Sequence, residues 1–444
     1  MPQEIPLKKL LPWILYLIFF AVLNETVFNA STPSIAAAFS LNASGVSWVM
    51  TTFLILFGIG SVVFGRLSDL YSLRTLITQG VVIYSLGSLL GFVGETSFPL
   101  VILARAIQGW GASALPALVF VIVARYYPEA ERGGVFGLIT SIVSVGLCLG
   151  PVLGSVIASW HWALLFLLPF PTLFALPFLR RILPQEARRP GRVDVLGAVL
   201  VALTVGSLVL WLNVGGTFFL YVVLGSTLAL ILATSFLREP FLDPALFREG
   251  KFLSAVLVGF SFFSIVMGVF FLVPLLLNTV HHTPQWEIGL LLLPGSIASM
   301  LLGPLAGKLA DRRGNPLVFT LGAGLLLLGL LVLAEYFSWS PWLVSGTLIL
   351  AYGGLALFQT ALMNSVSTTL SPEDTGVGMG IFNLVSIISG AVGTALVGKI
   401  FEAQGQTVIT PLILIFAGVV TAGVVLFLIV FRSRSGSPVN VTPN

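Results

Sequence analysis

The feature that most limits this chain is a succession of apolar runs, each long enough to cross a bilayer. They lie near 11–33, 46–65, 75–94, 98–124, 134–157, 162–183, 194–213, 217–236, 252–278, 287–307, 316–334, 341–369, 375–400 and 410–431. A spanning helix needs roughly 20 apolar residues, so the pattern predicts fourteen transmembrane helices. A membrane β-barrel would instead show shorter segments of alternating polarity. Only 9% of the residues are charged and the mean hydropathy is +1.06, against roughly 25% charged in a soluble domain. So few charges cannot cover a water-facing surface. An all-α integral membrane protein, with helices packed on helices in lipid, is expected.

The basic residues test the helix count. With the N-terminus inside, cytoplasmic segments should collect Lys and Arg. All but two of the 21 do so; the exceptions are Arg105, inside a run, and Lys399, near an outer end. Both termini are thus placed in the cytoplasm. The net charge of +4 follows from this partition and is no sign of a nucleic-acid partner. Lys8 and Lys9 precede a first run too long for a signal-peptide core, with no small-residue cleavage site, so the first helix is expected to be retained. The single cysteine, Cys148, excludes an intrachain disulfide and sits among Gly and Leu as a packing residue.

One loop occurs twice. Gly65-Arg66-Leu67-Ser68-Asp69-Leu70-Tyr71-Ser72 returns as Gly307-Lys308-Leu309-Ala310-Asp311-Arg312-Arg313-Gly314. Pro128-Glu129, ahead of Gly146, Gly150 and Gly154, is echoed by Pro372-Glu373, ahead of Gly390, Thr394 and Gly398. The chain therefore divides into two related halves, 1–183 and 251–434. Two inserted helices with cytoplasmic linkers occupy 184–250, and a disordered cytoplasmic tail occupies 435–444. Repeated halves that rock around a shared site are characteristic of transporters. No Gly-x4-Gly-Lys-Ser/Thr loop is present, so ATP is not the expected energy source. Three scattered histidines and one cysteine do not make the polar cluster that a membrane-embedded enzyme, or a metal site, would need. No cofactor is expected.

Glu25 is the one acid well inside a run, and Arg105 the one mid-span cation. Ionised and unpaired, such groups are expensive in a bilayer. At ~1.5 Å per residue they lie about 12 and 10 Å from the outer ends of their helices, deep enough alike to pair. A carboxylate alternating between a buried arginine and water is a workable proton carrier; a fixed ion pair orienting helices 1 and 4 is the other reading. Asp69 and Asp311 sit at cytoplasmic helix ends among arginines, Arg74 included. There they could cap the next helix or pair with basic neighbours, latching the halves. Gly146, Gly150 and Gly154 allow close helix approach, and Pro151 reads as a bend at the face between halves. Asn24, Asn29, Gln108, Trp110, Gln359, Asn364 and Phe382 are candidate cavity residues. Interhelical bonding or core packing is the alternative for each.

These motifs together resemble the major facilitator superfamily, and within it the 14-helix drug–proton antiporters, over nearly the whole chain. Gly65 to Arg74 is similar to that family's loop between helices 2 and 3, with Ser72 for a glycine. Arg105-Ala106-Ile107-Gln108-Gly109 is similar to its helix-4 motif, and Gly146 to Ser155 to its helix-5 antiporter motif. Asn24-Glu25-Thr26, with Asn29 and Pro33, resembles the helix-1 motif, Asn24 replacing aspartate. Pro240 to Arg248 resembles the linker before helix 9. Helix 1 and the stretch from Ala104 to Tyr126 are similar to the Gram-positive tetracycline exporters, class K and L type, which carry a glutamate where this chain has Leu147. The resemblance implies two six-helix bundles plus two inserted helices, in a monomer of the bacterial inner (cytoplasmic) membrane. It implies proton-coupled efflux of small amphipathic drugs, tetracycline-like compounds included, by alternating access. Export of a lipid or metabolite, and monovalent cation–proton antiport, stand as alternatives.

Overall fold

A computed structural model describes residues 6–41, 43–186, 194–236, 244–371 and 374–432. The basic stretch 187–193, the linker motif at 240–243, Pro372-Glu373 and the tail 435–444 lie outside them. Among the described residues, fourteen helices are long and apolar enough to span a membrane. They are α1 (Leu7–Ala38), α2 (Ala43–Leu70), α3 (Leu73–Val93), α4 (Phe98–Tyr126), α5 (Glu129–Trp160), α6 (Trp162–Ile182) and α7 (Val195–Val214). The rest are α8 (Thr217–Phe236), α9 (Gly250–Thr279), α10 (Gln285–Arg313), α11 (Asn315–Tyr336), α12 (Pro341–Thr369), α13 (Thr375–Gln404) and α14 (Ile409–Arg432).

In lipid each backbone group must bond within its own segment, so the apolar runs become helices and the breaks fall where the sequence supplies caps or turns. The Asp194 side chain accepts from the Gly197 N–H at 2.8 Å and starts α7. Gly314, at φ +86, makes the turn between α10 and α11, in a conformation that disfavours other residues. One expectation needs correction. The run 162–183 is not a regular α-helix. It begins as two 3-10 segments, Trp162–Leu167 and Phe170–Phe174, and turns α-helical only over Ala175–Ile182. Pro169, Pro171 and Pro177 remove the N–H groups a continuous α ladder would use.

Helices α1–α6 pack among themselves, as do α9–α14. The two bundles meet along two seams, α2 against α13 and α5 against α10. Both seams are built on small residues. A side chain at Gly65 would strike the carbonyl of Gly376, and one at Gly137 the carbonyl of Gly303. Towards the outer ends each seam helix leans back on its own bundle. Gly150 and Gly154 of α5 pack on Thr26 and Val27 of α1, while Gly393 of α13 packs on Ser264 of α9. The bundles are therefore closed together at the end where the basic residues collect, the cytoplasmic end by the positive-inside rule.

The inserted pair lies to one side. Val201, Val205 and Val209 form the buried face of α7, which rests on both α2 and α13. Val205, with Leu384 and Ile387 of α13, surrounds Gly58 of α2, and Gly206 faces Ile55. The α2/α13 seam is thus covered. On the α5/α10 side, α12 packs against both seam helices.

Candidate translocation site and gates

Arg105 is fully buried and is held by groups from three helices. Its Nε donates to the carbonyl of Val49 in α2 at 3.1 Å. Its Nη1 donates to Gln108 Oε1 at 3.0 Å and Asn24 Oδ1 at 3.4 Å. Gln108 Nε2 donates in turn to Ser88 Oγ of α3 at 2.8 Å. The guanidinium lies 4.1 Å from the ring centres of both Phe28 and Phe53. A cation between two aromatic faces gains roughly 0.5–2 kcal/mol from each when desolvated. Neutral acceptors and rings surround the charge, and no carboxylate lies within 4.0 Å of it among the described residues.

Two donors at this centre are unused. Arg105 Nη2 and Asn24 Nδ2 have no partner among the described residues. Glu25 stands next to them in α1 and is only half-buried. On an ideal helix successive residues turn by 100°. Asn24 and Phe28 face α4 and Thr26 faces α5, where its hydroxyl donates to Gly146 O at 3.3 Å. Glu25 falls between these faces. The equal depths inferred for Glu25 and Arg105 agree with the Asn24–Arg105 bond. No ion pair joins the two among the described residues, so the fixed-pair reading does not hold in this conformation.

The repeated loop supplies two gates of one design. The Asp69 carboxylate accepts from the N–H groups of Gly376 and Val377, at 3.0 and 3.1 Å, at the start of α13. The Asp311 carboxylate accepts from Gly133 and Gly134, at 2.8 and 2.7 Å, at the start of α5. Each aspartate of one bundle therefore caps a helix of the other, where free N–H groups and the helix dipole favour an anion. The expectation of a cap on the next helix is corrected: the next helix begins inside the same bundle, and the open N-terminus that reaches the carboxylate is across the seam. Asp69 also pairs with Arg125 at 2.5 Å, and Arg125 donates to Ser68 O at 2.7 Å. Arg74, expected in this gate, makes no ion pair among the described residues. Above Asp311, hydroxyls continue the α5/α10 seam. Ser141 donates to Met300 O and Ser144 bonds Ser299, each at 2.7 Å.

The other expected residues fall as follows. Gly146, Gly150 and Gly154 face α1 rather than the opposite bundle, and Pro151 lies inside an unbroken α5. That corrects their placement between the halves, which belongs to Gly133, Gly137, Gly303 and Gly307. Asn24 and Gln108 serve Arg105. Asn364 is buried and donates to Asn315 at 2.9 Å near the cytoplasmic end, a bond between α12 and α11. Phe382 is buried, its ring 6.2 Å from that of Phe263. Trp110 lies 5.9 Å from Phe64 and, like Gln359, is half-buried. The side chain of Asn29 lies outside what the structure describes. The sequence reading missed Phe28, Phe53 and Val49 around Arg105, and Arg125 at the gate. Of these only Arg125, a basic residue at a helix end, carried a signal.

Two related bundles, a charge buried between helices of one of them, and caps that close one end define a membrane transporter that works by relative movement of its halves. The chain belongs to the Major Facilitator Superfamily, whose family model matches residues 14–394. It is a transporter, not an enzyme. Among curated relatives it is 28% identical over 410 residues to the riboflavin transporter RibZ of Clostridioides difficile, covering 89% of each chain. It is also 28% identical over 411 residues to the multidrug resistance protein Stp of Mycobacterium tuberculosis, covering 89% of this chain and 76% of that one. Two solved structures share the fold. The human organic anion transporter MFSD10 superposes with a TM-score of 0.72 at 16% identity, over 96% of this chain and 100% of that one. The proton:xylose symporter XylE gives 0.66 at 15% identity, over 95% of each.

Proposed function

We propose that this transporter is a drug–proton antiporter of the bacterial cytoplasmic membrane, exporting amphipathic compounds by alternating access. The observation that carries the reading is the unsatisfied centre at Arg105. A buried guanidinium with a free Nη2, beside the free Nδ2 of Asn24, offers a pair of donors to the carboxylate of Glu25, next in sequence to Asn24. In the state closed to the cytoplasm, Glu25 stands off this site. A proton arriving from outside neutralises it and favours release of bound substrate there. After the bundles rock, Glu25 loses the proton to the cytoplasm and turns to Arg105 and Asn24, restoring affinity for substrate. The carboxylate and the arginine share the N-terminal bundle, so coupling resides there. The C-terminal bundle offers neutral surface such as Gln359.

The multidrug resistance relative supports a drug as cargo. The riboflavin relative favours a second reading, export of a planar heteroaromatic metabolite. Either cargo would be followed in inside-out vesicles with internal pH recorded, using a panel that contains tetracycline, ethidium and riboflavin. Substrate-dependent proton release is expected from wild type and not from Glu25→Gln. Normal coupling in that variant would remove Glu25 as the carrier.

A further inference from the structure

Two carboxamides of the C-terminal bundle interrupt stretches that are otherwise closed. From Ala351 to Ser367 of α12 every residue is buried except Gln359, and from Thr375 to Leu384 of α13 every residue is buried except Asn383. Both are half-buried. At ~1.5 Å per residue they lie about 15 and 12 Å from the cytoplasmic ends of their helices.

The neighbours of each amide fix its direction. Phe358 and Phe382, the residues just before, both turn to α9, where the ring of Phe263 is 5.8 Å from one and 6.2 Å from the other. The residues just after meet the N-terminal bundle. Thr360 donates to Thr140 of α5 at 3.2 Å, and Leu384 packs at Gly58 of α2. Helix α12 runs inward and α13 outward, so the 100° step from phenylalanine to amide turns opposite ways on the two helices. It brings both amides to the same side of α9, facing the space between the bundles. Across that space stand Val143 and Leu147 of α5, both half-buried. They fall between the face of α5 that meets α12 at Thr140 and the face that meets α1 at Gly146.

Asn383 Nδ2 is buried and has no acceptor among the described residues. A buried amide donor is normally paired, and here a ligand carbonyl can supply the acceptor. Carboxamides offer donors and acceptors together and carry no charge. They suit an edge that presents C=O and N–H groups side by side, and the apolar wall opposite suits a flat, uncharged body.

Given export by alternating access, we infer that Gln359 and Asn383 read an imide edge on a planar, uncharged substrate. Asn383 Nδ2 donates to one carbonyl. Gln359 accepts from the imide N–H and donates to the second carbonyl, while the body of the substrate lies against Val143 and Leu147.

Lumiflavin, a planar fluorescent probe with one imide N–H between two carbonyls, tests this against its imide-N-methyl derivative. Binding to the full chain in nanodiscs is read by fluorescence quenching. A site that bonds an N–H rejects the analogue lacking it, so wild type is expected to bind lumiflavin roughly tenfold or more tightly than the methyl derivative. Asn383→Leu should weaken lumiflavin by a similar factor, and Gln359→Leu should make the two probes bind alike, each at the melting temperature of wild type. Equal binding of both probes by wild type, or no binding of lumiflavin, would overturn the edge reading without recourse to any variant. So would undiminished discrimination in Gln359→Leu. Proton release in inside-out vesicles separates this from the transport reading. Discriminating binding without proton release would keep the amide pair and remove antiport. Proton release driven by tetracycline or ethidium, with no discrimination between the flavins, would keep antiport and remove the pair.

Discussion

At the scale of single residues, the chemistry depends on how Arg105 is held. Lysine at this position keeps the charge but not the planar fork, so it cannot bond Val49, Gln108 and Asn24 together or lie flat between Phe28 and Phe53. Arg105→Lys is expected to cut vesicle transport at least tenfold at an unchanged amount of membrane-inserted protein, read by quantifying both in the same preparation. Glu25 and Arg105 were legible in the sequence because an ionisable residue inside an apolar run is rare and costly. Phe28 and Phe53 were not. The chain has 34 phenylalanines, and nothing in an apolar run marks the two that face a cation. The polar candidates were legible as a class but not by role. Asn24 and Gln108 orient the arginine, whereas Asn364 joins two helices, and both uses satisfy the same need to bond a buried amide.

At the scale of helices, the two gates are alike in geometry and unequal in charge. Both aspartates cap a helix across a seam, but among the described residues only Asp69 also pairs with an arginine. Hydrogen bonds to charged groups contribute about 1.5–3 kcal/mol, against about 0.5–1.5 for neutral ones. Asp69→Asn also strands the buried Arg125. That variant should shift the balance towards the cytoplasm-open state by roughly tenfold or more, since each 1.4 kcal/mol is about tenfold. Asp311→Asn should shift it less. The readout is the rate at which a water-soluble maleimide modifies Ser141→Cys, in a Cys148→Ser background, in inside-out vesicles. Gly137→Val should raise the same rate further, because its side chain would meet the backbone of Gly303 and hold the seam apart. The octapeptide identified both aspartates from sequence alone. It could not identify their partners, because a helix N-terminus donates through backbone N–H groups that have no residue signature. The helix count was legible throughout, since bilayer thickness sets run length. The irregular α6 was foreshadowed only by its three prolines.

At the scale of the whole molecule, the inserted hairpin breaks the symmetry of the two bundles. Helix α7 touches both, yet they must move relative to each other, so it can travel with only one. Its links to the N-terminal bundle are the closer ones. Ser72 and Tyr126 bond Pro184 and Glu186 of the preceding segment, and Gly206 faces Ile55. Towards α13 there is Lys399, 5.8 Å from the ring of Trp211, an exposed contact of about 0.5–1 kcal/mol. A disulfide between Ile55→Cys and Gly206→Cys, in the Cys148→Ser background, is therefore expected to form and leave transport intact. Loss of transport on oxidation, restored by reduction, would show that α7 moves with the other bundle. The arginine centre also bears on how the chain enters the membrane. Asn24, Val49 and Ser88 come from α1, α2 and α3, all synthesised before α4. A central arginine costs about 2.5–3.5 kcal/mol on insertion, but by the time the ribosome delivers Arg105 the groups that receive it are already in the bilayer. Reordering these helices, by circular permutation within the first bundle, would ask the translocon to accept that charge alone.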